Sequence, residues 1–486
     1  MRIPLHHLLR FSLLALAPLF ASTSTTGAPQ RAAQEPAPPA RWTVHEWGTF
    51  TVLQDEQGHG LPGVNINEET LPLFVHRLQR DLSPDSHQHA PLLLLGTHER
   101  YASKGIPRSC PAARMRMETP ILYFYPPSER IEPIDVRVDF LRGWISEWYP
   151  DAEVRALGFE ENEELPRIPR EGASSVSWKQ LRVGGNAEPP ATDSPVWLAP
   201  RIPRPATVAT PQGETERYLF YRGVADLSAP LRVSRSPHGA EDELALRANA
   251  RELAGTEPYT FSALWLVDVR ADRQVAFRAL PAITSTTDDD VVLATVPASF
   301  AASDYAPGHL RELRAAMAVE LQKAGLFADE AEAMLDTWEL SYFHSAGLRL
   351  FFVLPRAWVD EVLPLHLSKP ADVARVMIGR IELVTPEQRA LVTQMARAAA
   401  PPTTRWYHDR LNELPYPQRL STIEALTHGT QSLESLGFPV PEDYRAYLAL
   451  GRFRDAIVID HCRQHATPEL EKFIAAYNLD YFHPAR

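Results

Sequence analysis

Residues 43–52 alternate apolar and polar side chains as a strand with two unlike faces does, and a carboxylate stands in the apolar row. Successive side chains of a strand point to opposite sides of its sheet. Val44, Glu46, Gly48, Phe50 and Val52 therefore share one face, while Thr43, His45, Trp47, Thr49 and Thr51 share the other. A carboxylate in a buried row has to be paired, protonated or put to use. Glu46 is thus the strongest chemical clue in the chain, although it does not name a reaction.

The chain begins like an exported one. Arg2 and Arg10 supply a basic start, and residues 11–21 an apolar run too short to span a bilayer, so 1–28 read as a signal peptide. Residues 29–40, rich in Ala and Pro, read as a disordered lead-in. No later segment has the length or apolarity of a membrane span, and the expected location is periplasmic or secreted. Cys110 and Cys462 are open to a disulfide in such a compartment, or to a pair of buried thiols. The net charge of −12, without a basic stripe interleaved with aromatics, argues against a nucleic-acid partner. Arginine outnumbers lysine 44 to 5, which an arginine-based anion site and a genomic base bias both explain.

Strand signals dominate from 41 to about 300. Residues 134–140 and 259–267 alternate cleanly, 144–149 follow a Gly143 turn, and 114–125, 218–224 and 275–280 add further candidates. Residues 186–212 are a Pro-rich loop. The segment 301–385 mixes helices with two strands, 348–354 and 376–384, and packs on the β-rich part. Leu310, Leu313, Met317 and Leu321 recur at helical spacing ahead of Gly325. Thr385, Pro386 and Gln388 form a capping signature, and 386–486 read as helical, including one helix over 442–465. The expected fold is α+β, an antiparallel β-sandwich-like N-terminal part followed by a helix-rich C-terminal part.

Two further carboxylates sit in strand settings. Glu118 shares a face with Arg114 and Arg116, and Glu147 shares one with Ile145 and Tyr149. With Glu46, and His45 nearby, they offer a general acid and its partner for hydrolysis of a polymer or glycan. The same residues also read as structural ion pairs, Glu118 with Arg114 or Arg116 of its own strand and Glu46 with an arginine of a neighbouring strand. Six of the 17 histidines fall between 45 and 98. His87 and His89 share a face if that segment is extended, and His98 could close a site for a divalent transition metal. A solvated polar loop explains the same residues, with His76 on the polar side of a helix over 70–82. His461 and His465 lie one helical turn apart, where histidines also meet carbonyl ends. Trp47 with His45, and Trp144 with Trp148, form aromatic rows that could stack on sugars or cover a second layer. No G-x-S-x-G elbow, H-E-x-x-H pair or Walker loop is present.

VHEWGTFT at 44–51, RMETPILYFY at 116–125, ISEWYP at 145–150, YLFYRG at 218–223 and GRIELVTPE at 379–387 together resemble a family of uncharacterised secreted bacterial proteins. The resemblance implies an exported bacterial protein and carries over no activity, cofactor or catalytic residue. Two expectations stand side by side. One is an extracytoplasmic hydrolase built on Glu46, Glu118, Glu147 and His45. The other is a non-catalytic envelope or ligand-binding protein, taking a small molecule or polysaccharide, with Glu46 as a structural ion pair.

Overall fold

The strand read from residues 43–52 runs over Trp42–Gln54 and is buried along almost all of its length. It lies in a computed structural model that describes residues 41–64, 71–78, 102–103, 106–107, 112–159, 167–236, 242–250, 258–396, 409–427, 435, 437–440, 442–476 and 479. The strands that position the site are, in chain order, β1 (Trp42–Gln54), β2 (His76–Arg77), β3 (Met115–Tyr125), β4 (Glu132–Leu141) and β5 (Gly143–Tyr149). They continue with β6 (Ala173–Val183), β7 (Leu219–Ala225), β8 (Leu231–Ser236), β9 (Glu243–Ala248) and β10 (Leu264–Val269). The last are β11 (Val275–Leu280), β12 (Val292–Pro297), β13 (Gly347–Val353), β14 (Leu365–Leu367) and β15 (Ala371–Leu383).

Among the described residues nine strands form a central sheet in the order β11-β10-β13-β15-β1-β3-β7-β5-β2. β1 and β15 run parallel, with Glu46 opposite Arg375 and Thr51 opposite Arg380. The neighbouring pairs of this sheet are otherwise antiparallel. β13 lies between β10 and β15. A second sheet is built around β4 and β6, with β14 at one side, and β8-β9-β12 form a third. One core joins the face of the central sheet carrying Val44, Phe50 and Tyr221 to the inner rows of both smaller sheets.

The opposite face of the central sheet is covered by helices. Leu313, Met317 and Leu321 are the buried stripe of α1 (His309–Lys323), and Gly325, at φ +121°, ends the segment as its sequence predicts. With α2 (Ala328–Thr337) and a π-helical turn (Glu339–His344), α1 packs on Trp47, Ile121 and Tyr123. On the inner face α3 (Arg356–Val362) sets Trp358 against Phe50. The C-terminal helices are α4 (Pro386–Met395), α5 (Tyr416–Thr427), α6 (Glu442–Ala449), α7 (Arg454–Gln464) and α8 (Pro468–Ala476). The predicted capping box opens α4, where the Gln388 N–H donates to Thr385 Oγ1 and the Thr385 N–H to Gln388 Oε1. Leu53, Leu61 and Val384 form an apolar floor under these helices. The fold is therefore mixed α+β, with mostly antiparallel sheets and helices gathered toward the C-terminal part.

Four local expectations change. His76 and Arg77 form β2 against β5, and no helix occupies the described part of 70–82. The expected helix over 442–465 is two, α6 and α7, broken around Gly451 at φ +83°. The alternating run 259–267 pauses between a two-residue strand at Thr260–Phe261 and β10. A bulge in β5, where Arg222 faces Glu147 but Gly223 faces Ile145, puts an extra residue at Ser146 and reverses the alternation. Trp144 and Trp148 consequently enter different clusters, as do Ile145 and Tyr149.

Candidate functional site: a buried charge belt across the central sheet

The helix-covered face of the central sheet changes character halfway along each strand. In β1 the outward row runs Trp47, Thr49, Thr51, Leu53, and in β15 it runs Val376, Ile378, Arg380, Glu382. β3 passes from Tyr123 and Ile121 to Glu118 and Arg116, and β7 from Phe220 through Arg222 to Val224. These strands carry charge or hydroxyl at the same level, with an apolar patch under α1 and α2 on one side; on the other, Leu53 lies under the C-terminal helices and Val224 packs with Trp144, Ile106 and Ile168. The result is a transverse belt of buried polar side chains.

The belt is knitted by charge. Arg349 of β13 lies opposite Glu382 in register, with Nε 3.2 Å from Oε1. The same arginine donates to the carbonyls of Ser341 at 3.1 Å, Tyr342 at 2.8 Å and Ser345 at 2.5 Å, satisfying the end of the π-helical turn. Arg380 donates from Nε to Glu382 at 2.6 Å, and Tyr342 hydrogen-bonds Thr49. Glu118 accepts from Thr51 Oγ1 at 2.7 Å and from Arg452 Nη2 at 3.0 Å, and is ion-paired with Arg116, whose Nη2 lies 2.5 Å away. Arg452 comes from the turn between α6 and α7, and Phe453 beside it lies 5.0 Å under the Arg116 guanidinium. Further along, Glu147 is paired with Arg222, and Arg77 Nε lies 4.0 Å away.

Glu46 stands on the other face, in the row with Phe50, and its own partners are separate. One oxygen accepts from the Tyr221 hydroxyl and the other pairs with Arg375, its register neighbour on β15. Arg375 also donates to Asp360 of α3 at 2.9 Å. Burial, then the adjacent Glu46 carboxylate, pushes the Tyr221 phenol well above its ordinary value, so Tyr221 serves as a donor. Burial alone would lower the Arg375 value, but Glu46, Tyr221 and Asp360 hold it above normal. The structure therefore brings Glu118 and Glu147 to one face, with Arg222 on the strand between them, and leaves Glu46 behind the sheet.

His45 joins neither group. Its Nδ1 lies 2.7 Å from Glu330 of α2, and the same carboxylate accepts from Tyr125 at 2.6 Å and from the Phe327 N–H at 2.8 Å. A carboxylate on Nδ1 is how catalytic dyads orient a histidine. Here it also caps α2 and fastens that helix to β1, since His45 and Tyr125 pack on Phe327. Burial first, then the Glu330 hydrogen bond, raises the Tyr125 phenol.

His87, His89 and His98, the proposed metal ligands, lie outside the described residues, as does Cys110 and with it any pairing to Cys462. Cys462 is buried in α7, and burial raises its thiol. Among the described residues no group of His, Cys, Asp and Glu is arranged to hold a metal. Arg375, Tyr221, Arg222, Glu330 and Arg452 escaped sequence reasoning. The Glu46 signal, charge inside an apolar strand, was also present at Arg380 and Glu382 of GRIELV.

No family model matches the chain, and no curated protein does. Among solved structures it is similar to the Fcho1 Mu homology domain from Danio rerio with bound Eps15 peptide. The identity is 7%, with a TM-score of 0.27, covering 71% of this chain and 97% of that one.

Proposed function

We propose that the chain is an exported, non-catalytic ligand-binding protein of the cell envelope, with a β-sandwich-like N-terminal part, in which Glu46, Glu118 and Glu147 are structural ion-pair partners. The basic and apolar pattern at 1–28 supports export. The observation that carries the reading is the placement of the carboxylates. A glycosidase sets two carboxyl groups about 5–10 Å apart around one bond. Glu46 has the sheet between itself and the other two, and all three are buried against arginine. A small molecule or polysaccharide remains the expected ligand class.

Glu46→Gln tests it. Removing one member of a buried ion pair costs about 3–5 kcal/mol, because the other charge stays buried alone. The expected result is a fall in Tm of roughly 5 °C, largely recovered in the double variant Glu46→Gln/Arg375→Met. A reducing-end assay over a panel of soluble glycans should show no hydrolysis by the unaltered protein. Hydrolysis that disappears in a Glu46→Gln protein of unchanged Tm would overturn the reading.

A further inference from the structure

The third sheet breaks a rule of strand pairing on its outer face. Its inner row, with Leu231, Val233, Leu244, Leu246 and Val296, is buried in the main core. Its outer row sets Arg232 of β8 directly opposite Arg247 of β9. Like charges facing each other across a ladder are destabilising. Such a pair is expected where something else uses it.

Neither guanidinium is in an ion pair among the described residues. Arg232 donates from Nη2 to the Asp289 carbonyl at 3.1 Å, and its Nε is buried without a partner. Arg247 donates to Ser234 Oγ at 2.7 Å and to the Asp290 carbonyl at 3.4 Å. Two of the nearby acids are already engaged. Asp242 is paired with Arg235, and Glu56 accepts from Arg389 at 2.8 and 3.0 Å. Asp290 is exposed at the rim.

The two arginines line a groove of about 780 Å³, closed on one side by the turn after β1, which contributes Gln57 and His59. That turn holds Arg232 in place. Gly58 sits at φ +81°, and a Cβ there would come 2.3 Å from Arg232 Cγ. The volume falls within the roughly 300–1,000 Å³ of small-molecule sites.

From this geometry we infer that the groove between the turn at 55–60 and the outer face of β8-β9 binds the phosphate group of a small phosphorylated molecule. Two planar forks on one face, with the Ser234 hydroxyl beside Arg247, match a tetrahedral dianion better than they match each other. The site lies on a different sheet from the charge belt. It deepens the binding reading by naming a ligand class, yet the Glu46 melting test and the groove test can fail independently.

Calorimetric titration with glucose 6-phosphate, inorganic phosphate and glucose decides the matter, using the full chain and the variants Arg247→Gln, Arg247→Lys and Arg232→Gln. Saturable binding of glucose 6-phosphate is expected, weakened about tenfold or more by either Gln variant and less by Lys. Inorganic phosphate binding as tightly as the sugar phosphate supports the anion site and assigns its ligand as the free ion. Arg247→Gln should keep or raise Tm, since a like-charge contact is relieved. A lowered Tm with unchanged titration would make the pair structural and overturn the proposal. So would no saturable binding of either phosphate, equal binding by all variants, or glucose binding as tightly as its phosphate.

Discussion

Gly379 shows how much a single missing side chain decides at the centre of this sheet. It faces Phe352 in register, and a Cβ at 379 would lie 2.2 Å from the Phe352 ring. The ring fills the space that a side chain would take, so Gly379→Ala has to displace it. Overpacking of this kind costs about 1–3 kcal/mol, which urea unfolding should report as a lower midpoint at constant slope. Gly379→Ala/Phe352→Leu should recover part of the loss. A midpoint unchanged in the single variant would mean the ring moves freely. Gly48 follows the same logic. Thr119, at φ +47°, turns β3 through a bulge, and a Cβ at 48 would lie 2.9 Å from Pro120 Cα. The glycine in the apolar row of β1 was legible in the sequence; its reason, a bulge in another strand, was not. Glu46 is similar. Its misplacement in an apolar row is visible in ten residues, but its partner is 329 positions away among 44 arginines. Only strand pairing selects Arg375.

At the scale of elements, Arg389 of α4 ties three pieces together. It makes a two-pronged contact with Glu56 in the turn after β1 and donates to Asp460 of α7 at 2.7 Å. Burial opposes the charge on Glu56, but the Arg389 hydrogen bonds and charge outweigh it and hold the carboxyl below its usual 4.5. A depressed carboxylate contributes stability that is complete above its unfolded value and lost as pH falls through the folded one. The stability difference between the unaltered protein and Glu56→Gln should therefore be constant near neutrality and vanish as pH falls below 4.5. Urea midpoints from pH 7 down would measure it, and a difference that grows on acidification would reverse the assignment. Elements themselves were legible where local chemistry is strong, as in the Thr385 capping box and the Leu313–Met317–Leu321 stripe. They were not legible where one residue resets the pattern. The bulge at Ser146 divided the Trp144–Trp148 row, and Gly451 divided the helix read over 442–465.

For the whole molecule, the order of strands matters more than their number. Residues 41–486 form one compact unit, and its sheet takes strands from both sides of residue 300. β15, supplied by residues 371–383, lies between β13 and β1 and is the only strand pairing that joins the β11-β10-β13 side to the rest of the described sheet. It also supplies Arg375 to Glu46, and Arg380 and Glu382 to the belt. A chain ending after residue 370 keeps most of the strands yet cuts the sheet in two, strips both ladders from its centre and exposes Val44, Phe50 and Trp47. Burial of such side chains contributes about 1.5–3 kcal/mol each, against a net stability of only about 5–15 kcal/mol. The shortened chain should show no cooperative urea transition by tryptophan fluorescence. A chain ending after residue 396 keeps the sheet intact but uncovers Leu53, Leu61 and Val384, and should retain a transition while binding a hydrophobic dye. If the chain ending at 370 unfolded cooperatively with the slope of the full protein, β15 would be a docked strand, and the parallel β1–β15 ladder would not be what unites the fold.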